Sequence, residues 1–249
     1  SQVFQYLKYL AKDHNITLIS FEKKTDWGKV TKRNEIKKEV KSAGIRWIPL
    51  RYHKSPTAIA TSFDILQGVF FAFFLTIFYR IQIIHARSYV SSVIALTIKK
   101  IFLRKKFIFD MRGFWPDEKV DGGSWTKESR IYKITKWFEK KFFLNADVVV
   151  SLTRAGVKTI KQFDYMQNSS TVFEVIPTCT NLNLFKPVKT LETAKNMNES
   201  LTIGYVGTTV NWYLFDPVLE CFKILLKILP NTKFLFINRE EHQFIQDRL

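Results

Sequence analysis

A chain of 249 residues, 46% of them hydrophobic, has material for one or two packed domains and is too apolar to be disordered. Its formal net charge of +17 excludes indifference to anions and directs it toward phosphate-bearing ligands, an anionic membrane face or nucleic acid. Two distant cysteines, Cys179 and Cys221, and four dispersed histidines make neither a disulfide framework nor a zinc spacing, so no metal and a reduced, cytoplasmic compartment are expected.

Val3, Phe4, Leu7 and Leu10 share one helical face, so the chain is expected to open inside a helix, in mid-fold and without a signal peptide. A buried strand, Ile16 to Phe21, follows the turn at Asp13 to Asn15. A lysine-rich helix from Lys29 to Lys41 is expected to stop at Gly44, before a strand over Ile45 to Pro49. Pro56 suits the first turn of the next helix, where a missing N–H costs nothing. That helix contains the apolar run Gly68 to Tyr79, about a dozen residues and short of the roughly 20 that cross a bilayer. Asp64 and Gln67 interrupt its extension toward the N-terminus and Arg80 closes the other end. A buried helix packed on a sheet is expected, with a membrane span as the less favoured alternative.

Ile81 to Ile84 reads as a strand ending in His85, Ala86, Arg87, Ser88 and Tyr89. A helix from Val90 to Phe102 leads to the strand Phe107 to Phe109, which changes character at Asp110, Arg112 and Gly113 before a loop opened by Trp115 and Pro116. A helix from Lys127 to Leu144, a strand Asp147 to Val150 ending in Ser151 to Arg154, a helix Ala155 to Phe163 and a strand Val172 to Ile176 ending at Pro177 and Thr178 complete this part. The alternation predicts an α/β fold with parallel strands covered on both faces. His85, Arg87, Ser88, Asp110, Arg112, Ser151, Thr153 and Thr178 then all follow carboxyl ends of strands, where ligands bind in open parallel sheets. A structural Asp110–Arg112 pair bracing the loop is the competing reading of that stretch.

From Lys186 to Ser200 the composition turns polar and aperiodic, as in a linker. A second β-α-β set begins at Leu201 to Val206, with a loop from Gly207, a helix capped by Asp216 with Pro217 in its first position, and a strand Phe234 to Ile237. The expected organisation is two Rossmann-like domains, residues 1–187 and 201–249, joined by a linker at 188–200. The first is expected to lack its opening strand and the second to be cut short, since two strands and two helices bury little apolar surface.

In order along almost the whole chain, these segments resemble the retaining, GT-B-fold glycosyltransferases of the family-4 type. Val175 to Pro187, reading V-I-P-T-C-T-N-L-N-L-F-K-P, is similar to their V-I-P-N-G-V-D-x-x-x-F-x-P hinge segment, the most specific feature. Ile203 to Thr208 resembles the first strand and glycine loop of their donor-binding domain. Val149 to Thr153, Asp110 to Trp115 and His85 to Ser88 resemble strand ends that line the acceptor cleft. Thr178 and Cys179 replace the usual Asn-Gly, Asn181 the usual Asp, and Asp110 stands about where many members have histidine. No Arg and Lys follow the glycine loop to grip a diphosphate, and the acidic E-x7-E pattern is expected beyond Leu249.

The resemblance implies sugar transfer from a nucleotide-sugar donor to a cell-envelope polysaccharide, lipid-linked or other glycan acceptor, with no metal or other cofactor and no dedicated protein base. Asp110 and Arg112 are the catalytic candidates. His85, Arg87, Ser88, Trp115, Ser151, Thr153 and Thr178 are expected to bind substrate, and Gly207, Thr208, Thr209 and Tyr213 to bind the donor. Backbone N–H groups at a glycine loop before a helix suit a diphosphate, and Arg87 and Arg112 would add charge. No helix-turn-helix, zinc-finger or RNA-recognition signature supports a nucleic-acid partner. The charge and the aromatic helix Phe70 to Tyr79 suggest peripheral attachment at the inner face of an anionic membrane. A non-catalytic sugar- or nucleotide-binding module of the same fold stays open. A Rossmann-like oxidoreductase is disfavoured, because no G-x-G-x-x-G follows a first strand.

Overall fold

The computed structural model describes residues 2–55, 57–182, 185–186, 201–210, 213–239 and 241–249. The expected linker at 188–200 and the expected proline start at Pro56 lie outside the described residues. By its contacts the chain divides into two compact units, residues 1–118 with 126–181, and residues 119–125 with 182–249. The described fold is α/β, and every strand pairing in it is parallel.

The first unit opens with α1 (Gln2–Leu10), β1 (Thr17–Glu22), α2 (Lys24–Trp27), α3 (Val30–Ser42) and β2 (Arg46–Arg51). β1 and β2 pair with each other, and Leu7, Val40 and Ile45 form a small core beside them with Leu18 and Trp47 packed against it. α4 (Thr57–Phe78) then leads to β3 (Ile83–Arg87), α5 (Tyr89–Ile101), β4 (Lys106–Asp110), α6 (Trp115–Asp121), α7 (Arg130–Asn145), β5 (Val148–Ser151), α8 (Arg154–Lys161) and β6 (Val172–Val175). β3, β4, β5 and β6 form one sheet in chain order.

The main core lies under that sheet. Phe107 and Phe109 alternate onto one face of β4, as the two-residue period of a strand requires, and are fully buried against Phe142 and Phe143 of α7. Asp147 fastens the entry edge. Its carboxylate accepts from the Phe107 N–H at 2.8 Å, Lys99 Nζ at 2.8 Å and Lys106 Nζ at 2.9 Å, which ties the start of β4 to α5 and to the turn before β5. Burial alone would raise the Asp147 pKa; those hydrogen bonds outweigh it and hold the group down at about 2.

The second unit contains β7 (Thr202–Val206), α9 (Phe215–Ile228), β8 (Lys233–Ile237) and α10 (His242–Gln246). β7 and β8 form their own sheet. Phe215, Leu219 and Ile245 are its buried core, extended by the stacked rings of Phe222 and Phe234 at 3.8 Å.

Several sequence expectations need correction. β3 starts and ends later than expected, so His85 and Arg87 lie in the strand rather than after it. The reason is pairing: His85 and Arg87 sit opposite Ile108 and Asp110 of β4, and the ladder carries polar residues as readily as apolar ones. Trp115 starts α6 instead of opening a loop, because Asp117 and Glu118 favour a helix's first turn. Asp216 does not cap α9. It lies inside the first turn, after Leu214, and its carboxylate accepts from Arg248 Nε at 2.9 Å.

The largest correction concerns α4. It is a single helix of 22 residues that runs through Asp64 and Gln67, and little of it is buried. Asp64 does not interrupt it because its charge is satisfied. The carboxylate accepts from the His53 N–H at 2.9 Å, and the His53 ring Nδ1 lies 2.6 Å from its other oxygen.

Candidate functional site

The parallel register of β3, β4 and β5 aligns their carboxyl ends in one row, with Arg87 opposite Asp110 and Asp110 opposite Val150. Asp110 is 7% exposed. Its carboxylate oxygen lies 3.6 Å from His85 Nε2 and 3.9 Å from an Arg87 guanidinium nitrogen, too far for short hydrogen bonds and close enough for a shared field. Arg87 also reaches the Tyr6 hydroxyl of α1 at 3.4 Å. His85, Arg87 and Asp110 therefore form one polar cluster, with Tyr6 as a member that sequence reasoning did not find. Nothing local marks Tyr6, which stands 81 residues before Arg87.

The backbone at this row is constrained. Ser88 has φ +72° and Arg112 has φ +64°, a left-handed region that non-glycine residues seldom occupy. At Ser88 the strain is offset locally. Its N–H donates to the Asp110 carbonyl at 2.8 Å, and its own carbonyl accepts from the Ser91 and Ser92 hydroxyls at the start of α5. Ser88 is thus committed to the β3–α5 turn. At Arg112 the Gly113 N–H bonds back to the Met111 carbonyl at 2.7 Å, a γ-turn of the rarer positive-φ form. Such outliers concentrate at functional positions. Asp110 lies beside His85 and Arg87 instead, and no Asp110–Arg112 ion pair occurs among the described residues.

Behind the row stands a buried network. Tyr89, the first residue of α5, donates to the Glu139 carboxylate at 2.5 Å and lies 3.3 Å from the Gly113 carbonyl. Glu139 is fully buried on α7 and pairs with Lys136, which also reaches Asp117 of α6 at 3.0 Å. Burial pushes the Glu139 pKa up, and Lys136 and Tyr89 only partly counter it. Burial and the neighbouring carboxylate push the Tyr89 hydroxyl far above its ordinary value, so it stays a donor. The network ties Tyr89, next to strained Ser88, to Gly113, next to strained Arg112. Its sequence signal is a single acid three residues after Lys136 on an otherwise basic, aromatic helix.

The remaining first-unit candidates have local roles. Trp115 packs on Tyr89 with ring centres 5.6 Å apart, at the edge of the main core. Ser151 ends β5, is buried, and donates to the Thr153 carbonyl at 3.1 Å. Thr153 caps α8, accepting from the Gly156 N–H at 3.0 Å. Thr178 is exposed in the segment after β6.

The second unit carries a separate anion-accepting loop. Gly207 follows β7 with φ +142°, a conformation that only glycine adopts without strain, and its N–H donates to the Ile237 carbonyl. The chain then presents the Thr209 N–H and the Thr208 and Thr209 hydroxyls toward one point. That point is occupied by the Glu241 carboxylate, at 2.7 Å from the N–H and at 2.5 and 3.1 Å from the hydroxyls, with Asn238 Nδ2 at 3.4 Å. The Thr208 and Thr209 hydrogen bonds hold the Glu241 pKa below the ordinary glutamate range. Beside it lies a cavity of about 460 Å³ lined by Val206, Gly207, Thr208, Asn238, Arg239 and Glu241. Tyr213 is half-exposed after this loop, and neighbouring Asn211 and Trp212 lie outside the described residues. Sequence reasoning missed Glu241 and Arg239, although both follow the carboxyl end of β8, where the strand-end rule points. Among the described residues no three of His, Cys, Asp and Glu stand close enough to share a metal ion.

No protein-family model matches this chain. No curated protein matches it by sequence. Among solved structures it is similar to sucrose-phosphate synthase from Thermosynechococcus elongatus, with 14% sequence identity and a TM-score of 0.49, over 92% of this chain and 71% of that one.

Proposed function

We propose that this chain is a glycosyltransferase of the GT-B type that moves a sugar from a nucleotide-sugar donor to a glycan or lipid-linked acceptor in the cell envelope. The observation that carries the reading is the loop after β7. One backbone N–H and two hydroxyls converge on a carboxylate there, beside a cavity that also holds Arg239. That donor set suits a phosphate, since backbone N–H groups and hydroxyls both favour oxyanions. Gly207, Thr208 and Thr209 are assigned to the donor's diphosphate, with Glu241 displaced when it binds. Asp110, His85 and Arg87 are assigned to the acceptor, and Arg112 to negative charge in the reaction. The reaction retains the anomeric configuration, uses no metal or other cofactor and takes place in the cytoplasm, at the inner face of the membrane. The resemblance at Val175 to Pro187 supports the same reading.

Calorimetric titration with UDP, GDP and ADP tests the donor assignment, followed by turnover with the matching nucleotide sugars and a lipid-linked acceptor. Absence of binding to any of the three nucleotides would reject it.

A second reading, a non-catalytic nucleotide- or sugar-binding module, is favoured by one observation: Glu241 already satisfies the loop. Nucleotide binding without turnover on any acceptor would select it.

A further inference from the structure

α4 is built inside out for a helix in water. Its protein-facing stripe is small and polar: Ala60, Asp64, Gly68 and Thr76 are buried, and Ala72 is half-buried. Gly68 lets the helix approach so closely that a Cβ there would stand 2.3 Å from Ile94 of α5 and 3.2 Å from Phe21 of β1. The stripe that faces away from the unit is large and apolar. Ile59, Phe63, Leu66, Phe70, Phe74 and Ile77 recur at steps of three and four along the helix, and all are exposed, Leu66 by 68%. A water-facing helix normally shows the reverse distribution, and an apolar stripe of this length marks an interaction surface.

The surroundings of the stripe specify its partner. No Asp or Glu stands on it, for the one acid of α4 is Asp64, turned inward to His53. Toward its C-terminal end the apolar surface meets the turn after α5, where Phe102 packs on Phe73 at 5.4 Å and Leu103 is 77% exposed. Arg104 and Lys105 follow directly, and Arg80 follows the helix itself. Arg46 lies over the ring of Tyr79, 3.6 Å from its centre. Apolar residues rimmed by cations and an aromatic match the boundary of an anionic bilayer, where acyl chains lie beneath negative headgroups.

We propose that α4 and the Phe102–Lys105 turn form a membrane-docking face that lies on an anionic lipid surface without crossing it. The helix stays in plane because its inner stripe is committed: Gly68 to Ile94 and Phe21, and Asp64 to His53. The inference stands on the first unit alone and does not depend on the donor assignment in the second.

The test is flotation of the whole chain with vesicles of phosphatidylcholine alone or mixed with phosphatidylglycerol, at low and high salt. Leu66→Glu with Phe70→Glu is the main variant; both side chains are exposed, and circular dichroism and melting temperature verify the fold. Binding to the mixed vesicles is expected to weaken with salt, and to fall at least about ten-fold in the double variant, as loss of two inserted apolar side chains requires. Arg104→Ser with Lys105→Ser is expected to remove much of the preference for the anionic vesicles. Equal binding to both vesicle types, or unchanged binding by the Leu66/Phe70 variant, overturns the proposal. So does a lipid-free dimer abolished by that variant, which would make a second copy the occupant, or resistance to alkaline carbonate extraction, which would make α4 a membrane span.

Discussion

The Glu241 carboxylate accepts the Thr209 N–H at 2.7 Å, so the loop after β7 already holds a negative charge where the proposed donor's phosphate would sit. A ligand phosphate must displace that carboxylate, and Glu241→Gln removes the like charge while keeping the shape. Nucleoside diphosphate is expected to bind several-fold more tightly to the variant. Titration calorimetry on both proteins decides it; equal affinities would show that carboxylate and ligand do not share the position.

Arg112 separates function from stability in a single residue. Its φ of +64° costs free energy that glycine does not pay. Arg112→Gly is expected to stabilise the protein by about 0.5–1 kcal/mol despite glycine's greater freedom in the unfolded chain. Arg112→Ala keeps the strain and should leave the melting temperature nearly unchanged. Both should lower turnover roughly 10- to 150-fold if Arg112 makes a charge-assisted contact of about 1.5–3 kcal/mol with the reacting species. Unfolding curves and steady-state rates for the two variants make the comparison, and normal turnover in both removes Arg112 from the mechanism.

The Tyr89–Glu139 hydrogen bond is buried, so its loss leaves a carboxylate without one of its donors. Tyr89→Phe is expected to destabilise by about 1–3 kcal/mol, the cost of an unsatisfied buried group. Urea denaturation measures it, and a change below about 0.5 kcal/mol, the scale of an ordinary surface substitution, would mean that Lys136 alone satisfies Glu139.

Two carboxylates give opposite pH slopes. Asp147 has its pKa lowered from 3.8 to about 2, so its contribution is present above 3.8 and is lost as pH falls toward 2. Glu139 has its pKa raised above 4.5, so its contribution is present below 4.5 and is lost as pH rises through the raised value. Melting temperature against pH should show a shallower acid-side fall in Asp147→Asn and a shallower fall above 4.5 in Glu139→Gln. A variant profile parallel to the wild type would refute the corresponding assignment.

The order of strands and helices was legible because it depends on local periodicity. The runs around Phe107, Val149, Ile203 and Phe234 are short, apolar and bounded by turns, and each forms a strand within a residue or two of its expected place. The carboxyl-end rule also brought Asp110, His85 and Arg87 to notice, since parallel strands place successive ends side by side. The partners of those residues were not legible. Tyr6 becomes relevant only through a contact between segments far apart in the chain, and no local pattern encodes such a contact.

By itself the sequence determined that α4 would be a helix and that it would be apolar, because composition and propensity act within a few turns. Which side of α4 is buried was decided by the tertiary structure. Gly68, a residue with no side chain to bury, takes the inner position because β1 and α5 leave no room for anything larger, and Asp64 can join it there because His53 satisfies its charge. Phe63, Leu66, Phe70 and Phe74 are left facing outward, since steric space and polar pairing at the contact outweigh the average preference of apolar side chains for the interior.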